Sequence, residues 1–101
     1  MPRTLSVSRA TVSRGAEAAY LTALGELAAR LRARGESLWL FRHPTRPDTF
    51  LECSEGPSAD RHRSGSGGDQ DEAALEARLR TLAAYAPDAW TLWEEVPLER
   101  R

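Results

Sequence analysis

The chain contains no lysine, no isoleucine and no asparagine, and it has one cysteine, Cys53, and one methionine. Each shortage excludes something. A single thiol cannot close an internal disulfide or build a cysteine-based zinc cluster. With lysine missing, all 14 basic residues are arginine, and 15 acids leave a net charge of −1. That balance provides no field for nucleic acid or for an anionic membrane, so neither is expected as a partner. No apolar run approaches the roughly 20 residues that a bilayer span needs. The opening, Met1-Pro2-Arg3-Thr4-Leu5-Ser6, lacks the apolar stretch of a secretory leader, which predicts a cytoplasmic protein. The three missing amino acids share A/T-rich codons, and their absence points to a GC-rich, bacterial genome.

What remains is ordinary globular material: 101 residues, 41% apolar and 29% charged. That is one domain, residues 1–101, with enough chain for a core. Thr4 to Val12 reads as a strand, with Leu5 and Val7 alternating against Ser6 and Ser8. Ala10 and Val12 fall on the other parity, which suggests a bulge or an early end. Ala16 to Arg34 reads as a helix. Tyr20, Leu24, Leu27 and Leu31 form its buried stripe, Ser13 is a candidate N-cap, and Gly35 supplies the stop. Gly25 inside this helix marks either a close approach to the sheet or an untuned surface position. Leu38 to His43 and Thr49 to Ser54 read as a hairpin around Pro44-Thr45-Arg46-Pro47-Asp48. Ser54 to Gly68 is a flexible loop rich in serine and glycine. Asp69 with Glu72 looks like a capping box for a second helix, with Leu75, Leu79 and Leu82 as its stripe and Pro87 as its end. Ala89 to Val96 is the last strand.

The order β-α-β-β-α-β, with right-handed crossovers, gives an α+β ferredoxin-like sandwich. Strands one and three lie in the middle of an antiparallel sheet, and both helices sit on one face. Strand two carries Leu38 and Leu40 on one parity and Trp39 and Phe41 on the other, and the last strand sets Trp90, Leu92 and Val96 against Trp93. Apolar groups on both faces need cover on both. A second copy packed sheet to sheet about a two-fold axis supplies that cover, so a homodimer through the sheet face is expected.

The hairpin register decides the candidate site, and a shift of one residue reverses it. Pairing Phe41 with Phe50 and Trp39 with Glu52 places Trp39, Phe41, His43, Phe50 and Glu52 on one face. Such a wall would suit a small aromatic ligand, with Tyr20 closing it from the first helix. His43 and Glu52 would then be the proton-transfer groups. Cys53 reads as packing. His43, Cys53 and His62 lack the spacing of a metal site, so no metal is expected. Arg46, Arg61 and Arg63 could hold an anion, although arginines in polar loops are usually solvated.

Val7-Ser8-Arg9-Ala10-Thr11-Val12-Ser13-Arg14-Gly15-Ala16-Glu17-Ala18-Ala19-Tyr20 resembles the opening of dimeric α/β-barrel proteins of the antibiotic-biosynthesis-monooxygenase type. Leu38-Trp39-Leu40-Phe41-Arg42-His43-Pro44 and Asp48-Thr49-Phe50-Leu51-Glu52 resemble that family's hairpin, with its glutamate on the third strand. Leu75-Glu76-Ala77-Arg78-Leu79 is similar to a helix of monooxygenase-like domains. The resemblance implies a dimeric α/β barrel that binds a small molecule, with cofactor-independent monooxygenase-like chemistry and no cofactor. The alternative is a non-catalytic homodimerisation or regulatory module. The family's catalytic asparagine has no counterpart here, because the chain has none. An RNA-binding ferredoxin-like domain is a third reading, and the net charge of −1 speaks against it.

Overall fold

The computed structural model describes residues 3–57 and 70–98. Strand β1 (Thr4–Val12) alternates strictly, with Thr4, Ser6, Ser8, Ala10 and Val12 all buried. It pairs antiparallel with β3 (Thr49–Gly56) in unbroken register, from Thr4 opposite Gly56 to Thr11 opposite Thr49. Neither the bulge nor the early strand end suggested by Ala10 and Val12 is present. One parity faces the helices along the whole strand, and the apolar residues change sides part-way. Ala10 and Val12 point inward, whereas Leu5 and Val7 point to the opposite face.

Helix α1 (Glu17–Ala33) buries the expected stripe, Tyr20, Leu24, Leu27 and Leu31. Its N-cap is Ala16, with no side-chain cap bond. Ser13 contributes its carbonyl instead, accepting from the Ala16 N–H at 2.9 Å, and Gly15 makes the turn at φ +80°. At the other end the Glu36 N–H reaches the Leu31 carbonyl and the Gly35 N–H reaches that of Arg32. Gly35 sits at φ +86°, as this helix-ending motif requires. A Cβ built on Gly25 meets nothing within 4 Å, so no close approach explains that glycine.

Strand β2 (Ser37–Arg42) follows and pairs antiparallel with β3. Helix α2 (Gln70–Leu82) buries Leu79 against the core, with Leu75 and Leu82 packed beside it. It ends before the expected stop at Pro87. Ala83–Tyr85 leaves the helix as β4 and pairs with Ala10–Val12, because the free edge of β1 offers those residues a ladder. The expected last strand shrinks to β5 (Leu92–Glu94), which pairs with Thr4–Ser6. From Ala10 to Ser6 β1 advances four residues, while its partner advances seven from Tyr85 to Leu92, so three extra residues bulge from this edge. The resulting order is β2-β3-β1-β4, with β5 continuing the β4 edge. This is the ferredoxin-like arrangement, with β1 and β3 central. The core lies between this sheet and the helices around Ala10, Val12, Tyr20, Leu27, Leu31, Phe50, Leu79 and Ala83.

The helices are also joined by charge. Arg34 donates to Glu36 at 2.6 Å and to Glu72 on α2 at 2.7 Å, and Arg30 meets Asp71 at 3.0 Å. The carboxylates of Glu36 and Glu72 hold the Arg34 guanidinium above its usual range despite its partial burial. Of the expected flexible loop, Ser54–Gly56 belongs to β3. Residues 58–68, with Arg61, His62 and Arg63, lie outside the described residues, as does the proposed cap at Asp69.

Candidate active site

The hairpin register differs by one residue from the expected one. Trp39 pairs with Cys53, Leu40 with Glu52 and Phe41 with Leu51. The expected common wall therefore divides. Phe50 and Glu52 face the helices, each almost fully buried, while Trp39 and Phe41 lie on the other face, 45% and 57% exposed. The cause is packing: Leu38 and Leu40 fill the space beneath α1, which forces the aromatic parity outward. His43 lies at the exposed end of the hairpin. Its Nδ1 accepts the backbone N–H groups of Thr45 at 3.1 Å and Arg46 at 3.2 Å, so the imidazole braces the turn. It shares an open surface groove with Phe41, Pro44 and Leu51 and is separate from Glu52.

On the inner face, Glu52 is 1% exposed. Its Oε2 accepts the Tyr20 hydroxyl at 2.5 Å and the Tyr85 hydroxyl at 2.7 Å. Tyr20 comes from the first turn of α1 and Tyr85 from β4, so helix, central strand and edge strand converge on one oxygen. The Tyr20 ring packs on Phe50 with centroids 5.3 Å apart. Beside Glu52 the floor of the sheet is built of small hydroxyl residues. Ser8 is its ladder partner, Ser6 and Ser54 face each other one step on, and Thr4 follows; all four are buried. Ser8 Oγ accepts the Trp90 backbone N–H at 3.2 Å. Trp90 lies in the edge bulge, and its ring stands 5.0 Å from that of Tyr85.

The structure thus brings together Tyr20, Phe50 and Glu52 from the sequence-derived set. It adds Tyr85, Ser8 and Trp90, which the sequence reading missed. Tyr85 falls in a segment that reads as the end of a helix, and Ser6 and Ser8 read only as the polar parity of the first strand. A buried carboxylate fixed by two phenols is a group able to accept or return a proton. Among the described residues no group of three or more His, Cys, Asp or Glu is placed to hold a metal ion, and no helix is long and apolar enough to cross a membrane.

No family model and no curated protein matches the sequence. Solved structures do match. SnoaB from Streptomyces nogalater, a cofactor-independent oxygenase solved as a mutant, aligns with a TM-score of 0.74 over 99% of this chain and 97% of its own, at 16% identity. A protein from Caulobacter crescentus, proposed to be an antibiotic biosynthesis monooxygenase, aligns with a TM-score of 0.75 over 95% of this chain and 92% of its own, at 17% identity. The chain shares its fold with these two proteins. Rv0793 from Mycobacterium tuberculosis adds a TM-score of 0.70, with 97% of each chain covered and 16% identity. Within this shared fold, the present chain places its buried carboxylate on β3 and its exposed aromatics on the far side of the same sheet.

Proposed function

We propose that the chain is a small-molecule-binding protein of the dimeric α/β-barrel kind, with a cofactor-independent, monooxygenase-like reaction at Glu52. One observation carries this reading: a carboxylate almost fully buried, with two phenols on one oxygen, beside a hydroxyl-lined floor. In the proposed reaction an aromatic or polyketide-like ligand lies against the serines. Glu52 takes a proton from its acidic C–H or O–H, and the resulting electron-rich carbanion or phenolate meets oxygen away from water. Tyr20 and Tyr85 hold the carboxylate in one orientation, and Phe50 closes the apolar end. His43, Trp39 and Phe41 lie apart from this centre and have no part in this reading.

The test is oxygen uptake with a panel of quinols and aromatic acids, alongside tryptophan fluorescence titration with Trp90 as reporter. Glu52→Gln should lower turnover by about 10²–10⁴-fold while the circular dichroism spectrum is kept. If no panel member perturbs the fluorescence or consumes oxygen, the catalytic reading is wrong.

A second reading rests on a different observation. Leu5, Trp39, Phe41, Leu51 and Trp93 are all exposed on the sheet face away from the helices. A second copy of the chain covering this face would make a two-fold dimer whether or not the inner site is catalytic. On that reading the chain is a homodimerisation module, and the absence of any ligand would favour it.

A further inference from the structure

Trp90 has a conformation that bulky side chains rarely adopt, with φ +72°. Several contacts hold it there. Its N–H is bound to Ser8 Oγ, and the loop around it is closed by the Ala89 N–H on the Ala86 carbonyl at 3.0 Å and the Thr91 hydroxyl on the Asp88 carbonyl at 2.7 Å. The outcome is a continuous series of oxidisable rings. Exposed Arg80 places its guanidinium 5.6 Å from the centre of the Trp90 ring, half-buried Trp90 stands 5.0 Å from Tyr85, and Tyr85 donates to buried Glu52 at 2.7 Å.

We propose that Trp90, Tyr85 and Glu52 form a proton-coupled one-electron relay between the protein surface and the buried carboxylate. It goes beyond the acid–base reading and shares with it the Glu52 and Tyr85 side chains. The oxidant is a diffusing one-electron acceptor at the surface. It removes one electron from the Trp90 indole and leaves a radical cation. The nearby Arg80 charge makes that cation unfavourable, because like charges at this distance repel. An electron then passes from Tyr85 to the indole, restoring neutral tryptophan. As it leaves, the Tyr85 O–H bond breaks and its proton moves to Glu52 Oε2. The products are a neutral tyrosyl radical and a neutral carboxylic acid, so no new charge is left in the buried site. A phenol without a proton acceptor could not be oxidised there at comparable cost, since its cation would have to be buried.

The test is flash-quench oxidation of the full chain with tris(bipyridine)ruthenium(III), followed by transient absorption and electron paramagnetic resonance. The wild-type chain should give a neutral tyrosyl signal. Trp90→Phe and Tyr85→Phe should each lose it, with circular dichroism confirming the fold. The double variant Trp39→Phe/Trp93→Phe, which removes the two exposed indoles of the other face, should keep it. On the unaltered protein, tyrosyl formation should slow in deuterated solvent, because the transferred proton is exchangeable. Wild-type tyrosyl yield in Trp90→Phe, or no solvent isotope effect, would overturn the relay. The two proposals fail separately. A chain that gives the tyrosyl signal but oxidises no quinol keeps the relay and loses the enzyme reading. A chain that oxidises quinols without a tyrosyl signal loses the relay and keeps the enzyme reading.

Discussion

Glu52 and Gly25 show how far single residues can be read. A glutamate between Leu51 and Cys53 stands out in the sequence, and the structure buries it with two phenol donors. Its neighbours could not be read in the same way. Trp39 and Leu40 are both large and apolar, so the sequence leaves either free to sit opposite Glu52, and only packing under α1 selects Leu40. Gly25 is the converse case. A close approach and an idle surface position give the same letter, and the structure shows open space where the Cβ would go. Gly25→Ala should therefore stabilise the chain by about 1 kcal/mol through helix propensity alone. Urea denaturation checks this, and a loss of stability would mean that something contacts that face of α1.

At the scale of elements, the ties between them divide into buried and exposed ones. Arg34 joins the end of α1 to α2 through Glu36, which is 3% exposed, and Glu72. Removing the guanidinium leaves two carboxylates facing each other in a poorly hydrated place. Arg34→Ala should cost about 3 kcal/mol, the low end expected when a buried pair loses one partner. Chemical denaturation measures it, and a cost below that of an ordinary surface ion pair would show that water reaches the cluster.

The exposed tie is Arg42, which grips Glu17 at the start of α1 at 2.8 and 3.1 Å. The hydrogen bond from Arg42 is the chief cause that holds the Glu17 carboxyl below its ordinary value. A folded pKa below the unfolded one adds stability above the ordinary carboxylate range, and that stability fades as pH falls through the folded value. Arg42→Ala should therefore melt lower than wild type at about pH 7, and the gap should close at about pH 3. Added salt should narrow it as well, since both groups are solvent-exposed. Helix α1 was legible from its stripe because four large residues repeat at helical spacing. The boundary between α2 and β4 was not. Ala83-Ala84-Tyr85 suits a helix locally and becomes strand only because the free edge of β1 lies beside it.

For the whole molecule, the order of elements was legible because handedness leaves few solutions, and the sheet has the expected β1 and β3 at its centre. The two-sided apolar character of β2 was legible too, with Leu38 and Leu40 inward and Trp39 and Phe41 outward. Which face would hold the chemistry was not, because the serines of β1 look like a solvent face until the helices are placed over them. The outer face carries the clearest prediction at this scale. Trp93 is 59% exposed in the single chain and lies beside Leu5. If a second copy covers this face, wild type should scatter light as a dimer at micromolar concentration, and Trp93→Glu should scatter as a folded monomer. A wild-type monomer, or a Trp93→Glu dimer, would remove the sheet-face pairing.

The interrupted edge has a consequence of another kind. A strand at the rim of a sheet is a template on which further strands can be laid down, and chains with two such rims can propagate into fibres. Here one rim is β2, six residues long. The other consists of β4 and β5, three residues each, separated by the bulge that carries Trp90. An incoming strand finds a long template on the first rim and none of comparable length on the second. Edge-on association of this chain should therefore stop at a pair joined through β2, since growth beyond it would require the broken rim to act as a template.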